Sequence, residues 1–578
     1  MMDRAVSITV LVLMMLSLVG PVGAQPATNG AIINTPGQMP TTIQPLGRDG
    51  HADEANWPVF AHDEKGTSTE DAETILKPQN VRRLEEKWRI TQVPDPHGGV
   101  YALAPVASNP AIVDGIAYFA DLKGSVFAVD AKTGAVIWQH LAAMPFQSPA
   151  VVADFFPNGN FASGWAVGDD LVYFYGFNQV VRAFDRRTGA PAPGWPTYMG
   201  CTTPACGSPS AFPATIVASS TYHQFTTSKQ AINLSGETLV VTMGNIGLVT
   251  TPDSTGSIAA YNARTGAPKW RLDTAIGTGG GIGLDVLSSI AFDRRRGLVF
   301  VGTGPNQAGP DEPDPLITPI ADSLLALDLD TGAIRWSRKL GAADDVIRVT
   351  NPFRYLIGKN WAVKDIHLMK VGARDVVVAG TQAGAYFALD RDSGSEILWS
   401  RQLTGPDIDT FIGGMNEGAT DGQAVFGASQ YVIPGPDTTV TTMLGSTEVT
   451  ITTLDANPIE GAATAVFRLR AKDGQQIWRR DFPGAMGTFA GTGTLALANG
   501  VLYFTNLGGK LMALDAENGA TLFERGVNQG SPEFNQLLGG VTVNNGRVYL
   551  PFGAGQEFFV FAEPFGPSGL LCLGLPDH

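Results

Sequence analysis

The segment LLALDLDTGAIRW at residues 324–336 contains the pattern that decides the fold. Apolar residues flank the small side chain of Ala326, and an aspartate, a Thr-Gly pair and a short segment ending at Trp336 follow. The Asp328 carboxylate can accept hydrogen bonds from the backbone of a turn, and Gly332 can adopt the positive φ that closes a tight hairpin. The segment therefore predicts two antiparallel strands, the second of which buries the face of a tryptophan.

The pattern occurs seven times along the chain, and every copy keeps its turn glycine. The copies are VFAVDAKTGAVIW, VRAFDRRTGA with its tryptophan displaced to position 195, IAAYNARTGAPKW, LLALDLDTGAIRW, YFALDRDSGSEILW, VFRLRAKDGQQIW and LMALDAENGATLF. Upstream of most copies lies another strand pair, for example AIVDGIAYFA at 111–120 and GLVFVGTG at 297–304. Four strands per unit, repeated around an axis, are typical of a β-propeller.

The two ends of the chain supply one further unit. GRVYLPFG at 546–553 and EFFVFAE at 557–563 predict inner strands, but no strand with a docking tryptophan follows them. Near the start, LEEKWRI at 84–90 predicts an outer strand that carries Trp88 and has no neighbour in sequence. Joining the two closes the ring without an exposed edge. The sequence therefore predicts an all-β, eight-bladed β-propeller closed by strands from both termini, with seven blades as the alternative.

The first 24 residues are typical of an export signal that is removed. Arg4 precedes an apolar run at 6–19, and Val22-Gly23-Ala24 offers small residues for cleavage. The run is short for a membrane span, although an uncleaved anchor is the alternative. We therefore expect an exported protein, periplasmic or secreted. The expected division of the chain is a signal peptide at 1–24, a flexible lead-in at 25–56, the propeller at 57–563 and a C-terminal tail at 564–578.

Charge and cysteine content exclude several classes of protein. The net charge of −15 disfavours nucleic acid and anionic membranes as partners. The sequence has no CxxCH motif for covalent haem and no HExxH motif or paired CxxC motifs for zinc. Cys201 and Cys206 in GCTTPACG predict a local disulfide in an oxidising compartment, with two free thiols as the alternative. Cys572 is then expected to be a small buried apolar residue.

The repeated pattern AxDxxTGxxxW resembles the tryptophan-docking motif of pyrroloquinoline-quinone (PQQ) repeat proteins. The resemblance extends over nearly all of the chain after the expected signal. WPVFAHDEKGTS at 57–68 is similar to the opening of quinoprotein alcohol dehydrogenases, and SSIAFDRRRGLVFVGTGPN at 288–306 also resembles them. The polyvinyl-alcohol-dehydrogenase-like branch is the most similar in layout. The same repeat also builds propellers without catalytic activity, such as the scaffold lipoprotein of outer-membrane assembly.

The resemblance implies a cofactor site on the propeller axis. In the enzymes of the family, PQQ lies beside calcium between a tryptophan and a vicinal disulfide, an aspartate is the general base, and a lysine or arginine contacts the quinone. Flanking residues place Leu287 at the tryptophan, Asn306 of GTGPN at a calcium ligand and Gln382 of GTQAG at the lysine. The base position matches Asn360 without a gap and Asp365 with one, and only the latter side chain can accept a proton as a carboxylate.

Two functions are compatible with this resemblance. The first is an exported oxidoreductase that acts on alcohol groups with PQQ and calcium and passes electrons to a separate acceptor. The second is a binding or scaffold propeller without the quinone site, which the absence of adjacent cysteines and the leucine at position 287 favour. In the second case Leu287 is a core residue, Asn306 and Gln382 form turns, and Asp365 is a solvated loop carboxylate.

Overall fold

The computed structural model describes most of the repeats and the turns between their strands. The described residues are 56–96, 98–104, 106, 109–121, 125–141, 162–176, 180–195, 197–198, 232–243, 256–274, 286, 288–308, 318–341, 346–348, 361–403, 414–415, 418–432, 438–444, 447–453, 462–483, 494–505, 510–527, 540–553 and 567–577. The expected signal peptide, nearly all of the lead-in and the Cys201/Cys206 loop lie outside these residues.

Eight antiparallel sheets form a ring of blades, which confirms the all-β prediction and the count of eight. At seven of the eight junctions between neighbouring blades the first strands of the two blades contact each other, so these strands surround the axis. From blade 1 to blade 8 they are Ala111–Val113, Ala162–Val167, Ile232–Ser235, Ala291–Asp293, Val363–Val371, Ala419–Thr420 with Gly414–Met415, Ala496–Ala498 and Thr542–Asn544.

Three further strands complete each blade from the axis outward. The second strands are Ile116–Ala120, Leu171–Gly176, Thr238–Met243, Leu298–Gly302, Arg374–Thr381, Ala424–Val432, Val501–Thr505 and Arg547–Phe552. The third strands are Val126–Asp130, Val180–Asp185, Ser257–Asn262, Ser323–Asp328, Ala385–Asp390, Ala462–Arg470, Lys510–Asp515 and Gly569–Gly574. The outermost strands are Val136–His140, Thr197–Tyr198, Pro268–Asp273, Ile334–Lys339, Ile397–Gln402, Gln476–Pro483, Thr521–Gly526 and Glu85–Ile90.

Short elements decorate this ring. They are the strand Thr69–Glu70, the pairs Gln92–Pro94 with Val100–Ala102, Asn306–Ala308 with Val346–Arg348, and Thr438–Leu444 with Thr447–Thr453, and the 3-10 turn Val81–Arg83. Among the residues that the structure describes, no helix has the length and apolar character needed to cross a bilayer.

Tryptophan rings hold neighbouring blades together. The Trp270 ring lies on Gly332 of the next blade, where a Cβ atom would come within 2.5 Å of the indole, and Trp270 Nε1 donates to the Leu329 carbonyl at 2.8 Å. The same contact is made by Trp88 on Gly134, Trp138 on Gly189, Trp336 on Gly394, Trp399 on Gly474 and Trp478 on Gly519. The displaced Trp195 is different, because its Nε1 finds no partner among the described residues.

Strands from both termini close the ring, as the sequence predicts. Glu85–Ile90 pairs with Gly569–Gly574, which in turn pairs with Arg547–Phe552. The predicted inner strand at 557–563 lies outside the described residues. The structure corrects the boundary of the predicted tail at 564–578, because its apolar segment GLLCLG is the third strand of blade 8. Cys572 in this strand is a free, fully buried thiol, as expected.

The stretch 57–70, which we call the axial segment, runs along the innermost strands. Its carbonyl oxygens accept one backbone N–H from each of six blades, at 2.6 to 3.0 Å; the donors are Ile112, Val167, Phe292, Leu368, Thr420 and Leu497. These N–H groups lie on the free edges of the sheets, where a buried donor without a partner is costly. The axial segment therefore satisfies the inner edges of blades 1, 2, 4, 5, 6 and 7 with one piece of chain.

The glycine under each tryptophan yields a test of blade docking. Gly332→Ala and Gly236→Ala both place a Cβ at positive φ (71° and 59°), which costs about 1–2 kcal/mol. Only Gly332→Ala also forces a Cβ against the Trp270 indole, since nothing lies within 4 Å of the Cβ position at Gly236. We expect Gly332→Ala to lower the free energy of unfolding by about 1–3 kcal/mol more than Gly236→Ala. Chemical denaturation measures the difference, and equal losses would contradict this view of docking.

Candidate functional site

Three of the five matched positions are described, and they lie in adjacent blades. Leu287 and Asn360 are outside the described residues. Asn306 follows the second strand of blade 4, whereas Asp365 and Gln382 belong to blade 5. The two blades are joined here by a hydrogen bond from the Val363 N–H to the Thr303 carbonyl at 3.2 Å. The structure therefore brings the Asn306 loop close to the start of the innermost strand of blade 5.

The Asn306 side chain holds together the segment that follows it through a hydrogen bond. Its side chain is buried, and its amide oxygen accepts the Thr318 N–H at 2.8 Å. The amide nitrogen of Asn306 has no hydrogen-bond partner among the described residues. The unpaired group is a donor and cannot bind a cation, and one of the two acceptor positions of the amide oxygen is already engaged with Thr318. The geometry of Asn306 therefore fits a loop-forming residue better than a calcium ligand.

Gln382 lies in the turn that follows the second strand of blade 5. Its backbone N–H donates to the Ala362 carbonyl at 2.8 Å, and the Gly384 N–H closes the turn onto Thr381. The side chain is half-buried. Because Ala362 immediately precedes the innermost strand Val363–Val371, the turn holds Gln382 at the end of the blade where that strand begins.

Asp365 is a buried carboxylate and not a solvated loop residue. It is the third residue of the innermost strand of blade 5 and is only 1% exposed. Its Oδ2 accepts hydrogen bonds from the Tyr386 hydroxyl at 2.5 Å and from His367 Nε2 at 2.8 Å. A Cβ added at Gly418 of blade 6 would lie 2.8 Å from the same oxygen, so the carboxylate requires a glycine there. Oδ1 has no hydrogen-bond partner in the part of the chain that is described.

His367 is a site residue that the sequence analysis misses. Its Nδ1 faces the Gly66 carbonyl of the axial segment, and its Nε2 faces Asp365; both partners are hydrogen-bond acceptors. The doubly protonated ring satisfies both of them. Burial disfavours the charged ring, but the Asp365 charge and the two hydrogen bonds outweigh burial and raise the pKa of His367 above its ordinary value. The two acceptor partners and the raised pKa therefore both favour the protonated ring of His367.

The cluster of Asp365, His367 and Tyr386 presents one open acceptor oxygen in a buried setting. Such a carboxylate can take a proton from a hydroxyl group that reaches it. Among the described residues no three His, Cys, Asp or Glu side chains come together as a metal site. The described part of the site thus fits a proton-accepting role and does not by itself form a cradle for calcium.

Tryptophan docking at six of the eight junctions between blades is typical of a PQQ-repeat propeller. It belongs to the family described as "Glucose/ethanol/alcohol dehydrogenase, beta-propeller domain", whose model matches residues 57–406. Residues 449–560 match a second model, that of the outer membrane protein assembly factor BamB.

Two curated relatives are polyvinylalcohol dehydrogenases. The chain is 23% identical to that of Pseudomonas sp over 524 residues, which cover 83% of this chain and 70% of the relative. It is also 23% identical to that of Sphingopyxis sp. (strain 113P3) over 389 residues, 62% of this chain and about half (52%) of that relative.

Solved structures show the same fold. Quinohemoprotein alcohol dehydrogenase ADHIIG from Pseudomonas putida HK5 superposes with a TM-score of 0.60 at 16% identity, covering 90% of this chain and 80% of that one. The quinohemoprotein alcohol dehydrogenase from Comamonas testosteroni gives a TM-score of 0.58 at 16% identity, covering 91% and 82%. A europium-containing methanol dehydrogenase gives 0.58 at 12% identity, covering 90% and 98%.

The raised pKa of His367 predicts a pH-dependent contribution to stability. A group with a raised folded-state pKa stabilises the fold fully below its unfolded value, about 6.5 for histidine, and loses that contribution as pH rises through the folded pKa. We expect the stability advantage of the wild-type protein over His367→Gln to shrink as the pH is raised above about 6.5. Thermal unfolding across pH measures it.

His140 supplies the control with the opposite sign. Burial lowers the pKa of His140, so the wild-type advantage over His140→Gln is lost as pH falls. If the pH profiles of the wild-type protein and His367→Gln are parallel, folding does not raise the pKa of His367, and the prediction is wrong.

Proposed function

We propose that this chain is an exported oxidoreductase of the quinoprotein type that oxidises alcohol groups, with Asp365 as the proton acceptor. Membership of the alcohol dehydrogenase propeller family supports the reaction class. The observation that carries the proposal is the buried Asp365 carboxylate, which has one open oxygen and an imidazole and a phenol bound to the other. The name of the relatives, polyvinylalcohol dehydrogenase, supports a substrate bearing hydroxyl groups.

Oxidation of an alcohol to a carbonyl removes two electrons and two protons. PQQ, the cofactor that the family implies, would supply when bound the acceptor for both electrons together with the hydrogen on the alcohol carbon. The hydroxyl proton of the substrate passes to Asp365 Oδ1, because Oδ2 already accepts two hydrogen bonds. Tyr386 and His367 fix the orientation of the carboxylate, and its burial excludes water from the proton transfer. A separate carrier takes the electrons, since the sequence has no motif for covalent haem.

The cofactor contacts in this proposal come from the end of the ring where Gln382 lies. Gln382 would contact the quinone from its turn, and Leu287 would supply an apolar floor in place of a stacking ring. Calcium, which the resemblance also implies, would need several oxygen ligands besides Asn306, whose amide oxygen already accepts one hydrogen bond from Thr318. The apolar run near the N-terminus supports export.

A second candidate is a binding propeller that does not hold PQQ. The specific observation in its favour is the Asn306 amide, whose oxygen is used inside its own loop. The absence of adjacent cysteines and the leucine at position 287 point the same way. In that case Asp365 and His367 serve the packing of blades 5 and 6.

An assay with PQQ, Ca²⁺, polyvinyl alcohol and an artificial electron acceptor tests the proton acceptor. We expect Asp365→Asn to lower kcat by about 10²–10⁴-fold with little change in PQQ affinity, because the amide cannot take the proton. Asp330→Asn, in an exposed turn of blade 4, should leave kcat unchanged. Wild-type turnover by a folded Asp365→Asn variant would remove Asp365 from the mechanism.

Calorimetric titration with PQQ and Ca²⁺ separates the two candidates. Binding by the unmodified protein supports the oxidoreductase. Binding that appears only in Leu287→Trp, where an indole face is added, supports a propeller that lacks the quinone site. Failure of both proteins to bind PQQ would overturn the oxidoreductase proposal.

A further inference from the structure

The axial segment contains a tight loop whose histidine lacks partners. The loop is closed by the Ser68 N–H, which donates to the Ala61 carbonyl at 2.9 Å. His62 within it adopts a positive φ of 72°, unusual for a residue with a side chain. Both ring nitrogens of His62 are buried without a hydrogen-bond partner among the described residues. The Trp57 ring meets the imidazole edge-on, with centroids 4.8 Å apart.

Glu70 faces this histidine with an equally unpaired oxygen. The residue is 2% exposed, and its Oε1 accepts the Ala72 N–H at 3.0 Å. Its Oε2 lies 3.5 Å from His62 Nε2, but neither atom makes a hydrogen bond within the described residues. The two atoms lie within ion-pair distance, but without a hydrogen bond both stay incompletely satisfied in a buried setting, and a third group that binds both would satisfy them.

The separation of these two atoms equals the spacing of two ligands around one metal ion. A tetrahedral ion with nitrogen and oxygen ligands at about 2.0–2.2 Å holds them about 3.4 Å apart. An imidazole nitrogen with a carboxylate oxygen suits Zn²⁺ and other first-row divalent ions, whereas Ca²⁺ takes oxygen ligands. We propose that His62 Nε2 and Glu70 Oε2 form a binding site for a divalent transition-metal ion such as Zn²⁺.

With His62 and Glu70 as its two protein ligands, a tetrahedral metal ion has two further coordination positions that water can fill. Ser68 Oγ and Asn109 Oδ1 are further buried oxygens without partners in the described part of the chain. Both residues hold the same loop, Ser68 through Ala61 and Asn109 through a hydrogen bond from its Nδ2 to the Phe60 carbonyl at 3.0 Å. These oxygens are suited to accept hydrogen bonds from water on the metal, as partners around a metal site usually do.

The metal would stabilise the ring from its centre. The loop between His62 and Glu70 contains the carbonyls of Glu64, Lys65 and Thr67, which accept N–H groups from blades 4, 5 and 6. An ion that joins the two ends of this loop fixes those carbonyls in place. Binding to the folded chain alone also raises the apparent stability by mass action. The two metal ligands are not among the residues proposed for the chemistry at Asp365, although the Gly66 carbonyl of the same loop contacts His367.

Titration of chelator-treated, full-length protein with Zn²⁺ and with Co²⁺ tests the proposal. We expect one equivalent of Zn²⁺ to bind and to raise Tm, and Co²⁺ at the same site to show the visible absorption of tetrahedral cobalt. His62→Ala and the nearly isosteric Glu70→Gln should each weaken Zn²⁺ binding at least tenfold, because each removes one of two protein ligands.

Glu73→Gln is the matched control. Glu73 is also buried in this part of the chain, but its carboxylate accepts the N–H groups of Ile75, Leu76 and Gly546 at 2.7 to 2.9 Å. Its variant should therefore bind Zn²⁺ as the wild-type protein does. The proposal is overturned if unmodified protein binds neither metal, if folded Glu70→Gln binds Zn²⁺ equally tightly, or if Ca²⁺ displaces Zn²⁺ from this site.

Discussion

An indole ring lying on a glycine is the contact on which the propeller depends. The glycine is required twice, once for the positive φ of its turn and once because the ring occupies the place of a Cβ. The indole N–H adds a hydrogen bond to a carbonyl of the same turn, at 2.7 to 3.3 Å in six contacts. Since one contact sets the relation between blades, loops of different length can be inserted without changing the ring.

The centre of the ring imposes a second requirement, because eight innermost strands leave backbone groups without a neighbouring strand. The axial segment meets it with six carbonyl oxygens. Polar side chains gather where this segment passes: His367 contacts the Gly66 carbonyl, and His62 and Glu70 belong to the segment itself. Both candidate sites of the molecule, for proton transfer and for metal, therefore lie where the inner edges of the blades need polar partners.

The sequence located the candidate proton acceptor, Asp365, but not the residues that surround it. Asp365 appeared as one of two alternatives from a motif match, and only the packing of blade 6 on blade 5 shows that it is buried. His367 could have been found from its spacing, since residues two apart on a strand share a face. Tyr386 and Gly418 could not, because they reach Asp365 from another strand and another blade. Asn306 and Gln382 were located by motif, and the structure places Asn306 at the start of a short strand and Gln382 in a turn.

By itself the sequence determined the all-β class and predicted eight blades, with seven as the alternative, and their closure through Trp88, because seven copies repeat a local pattern of strand, turn and, in most of them, tryptophan. It missed the strand Gly569–Gly574, which carries no such pattern and is recognised only by its pairing. The tertiary structure alone decided which polar atoms are satisfied. Hydrogen bonding and burial depend on groups that meet from distant parts of the chain, as His367 and Gly66 do beside the innermost strand of blade 5, and no local pattern encodes that meeting.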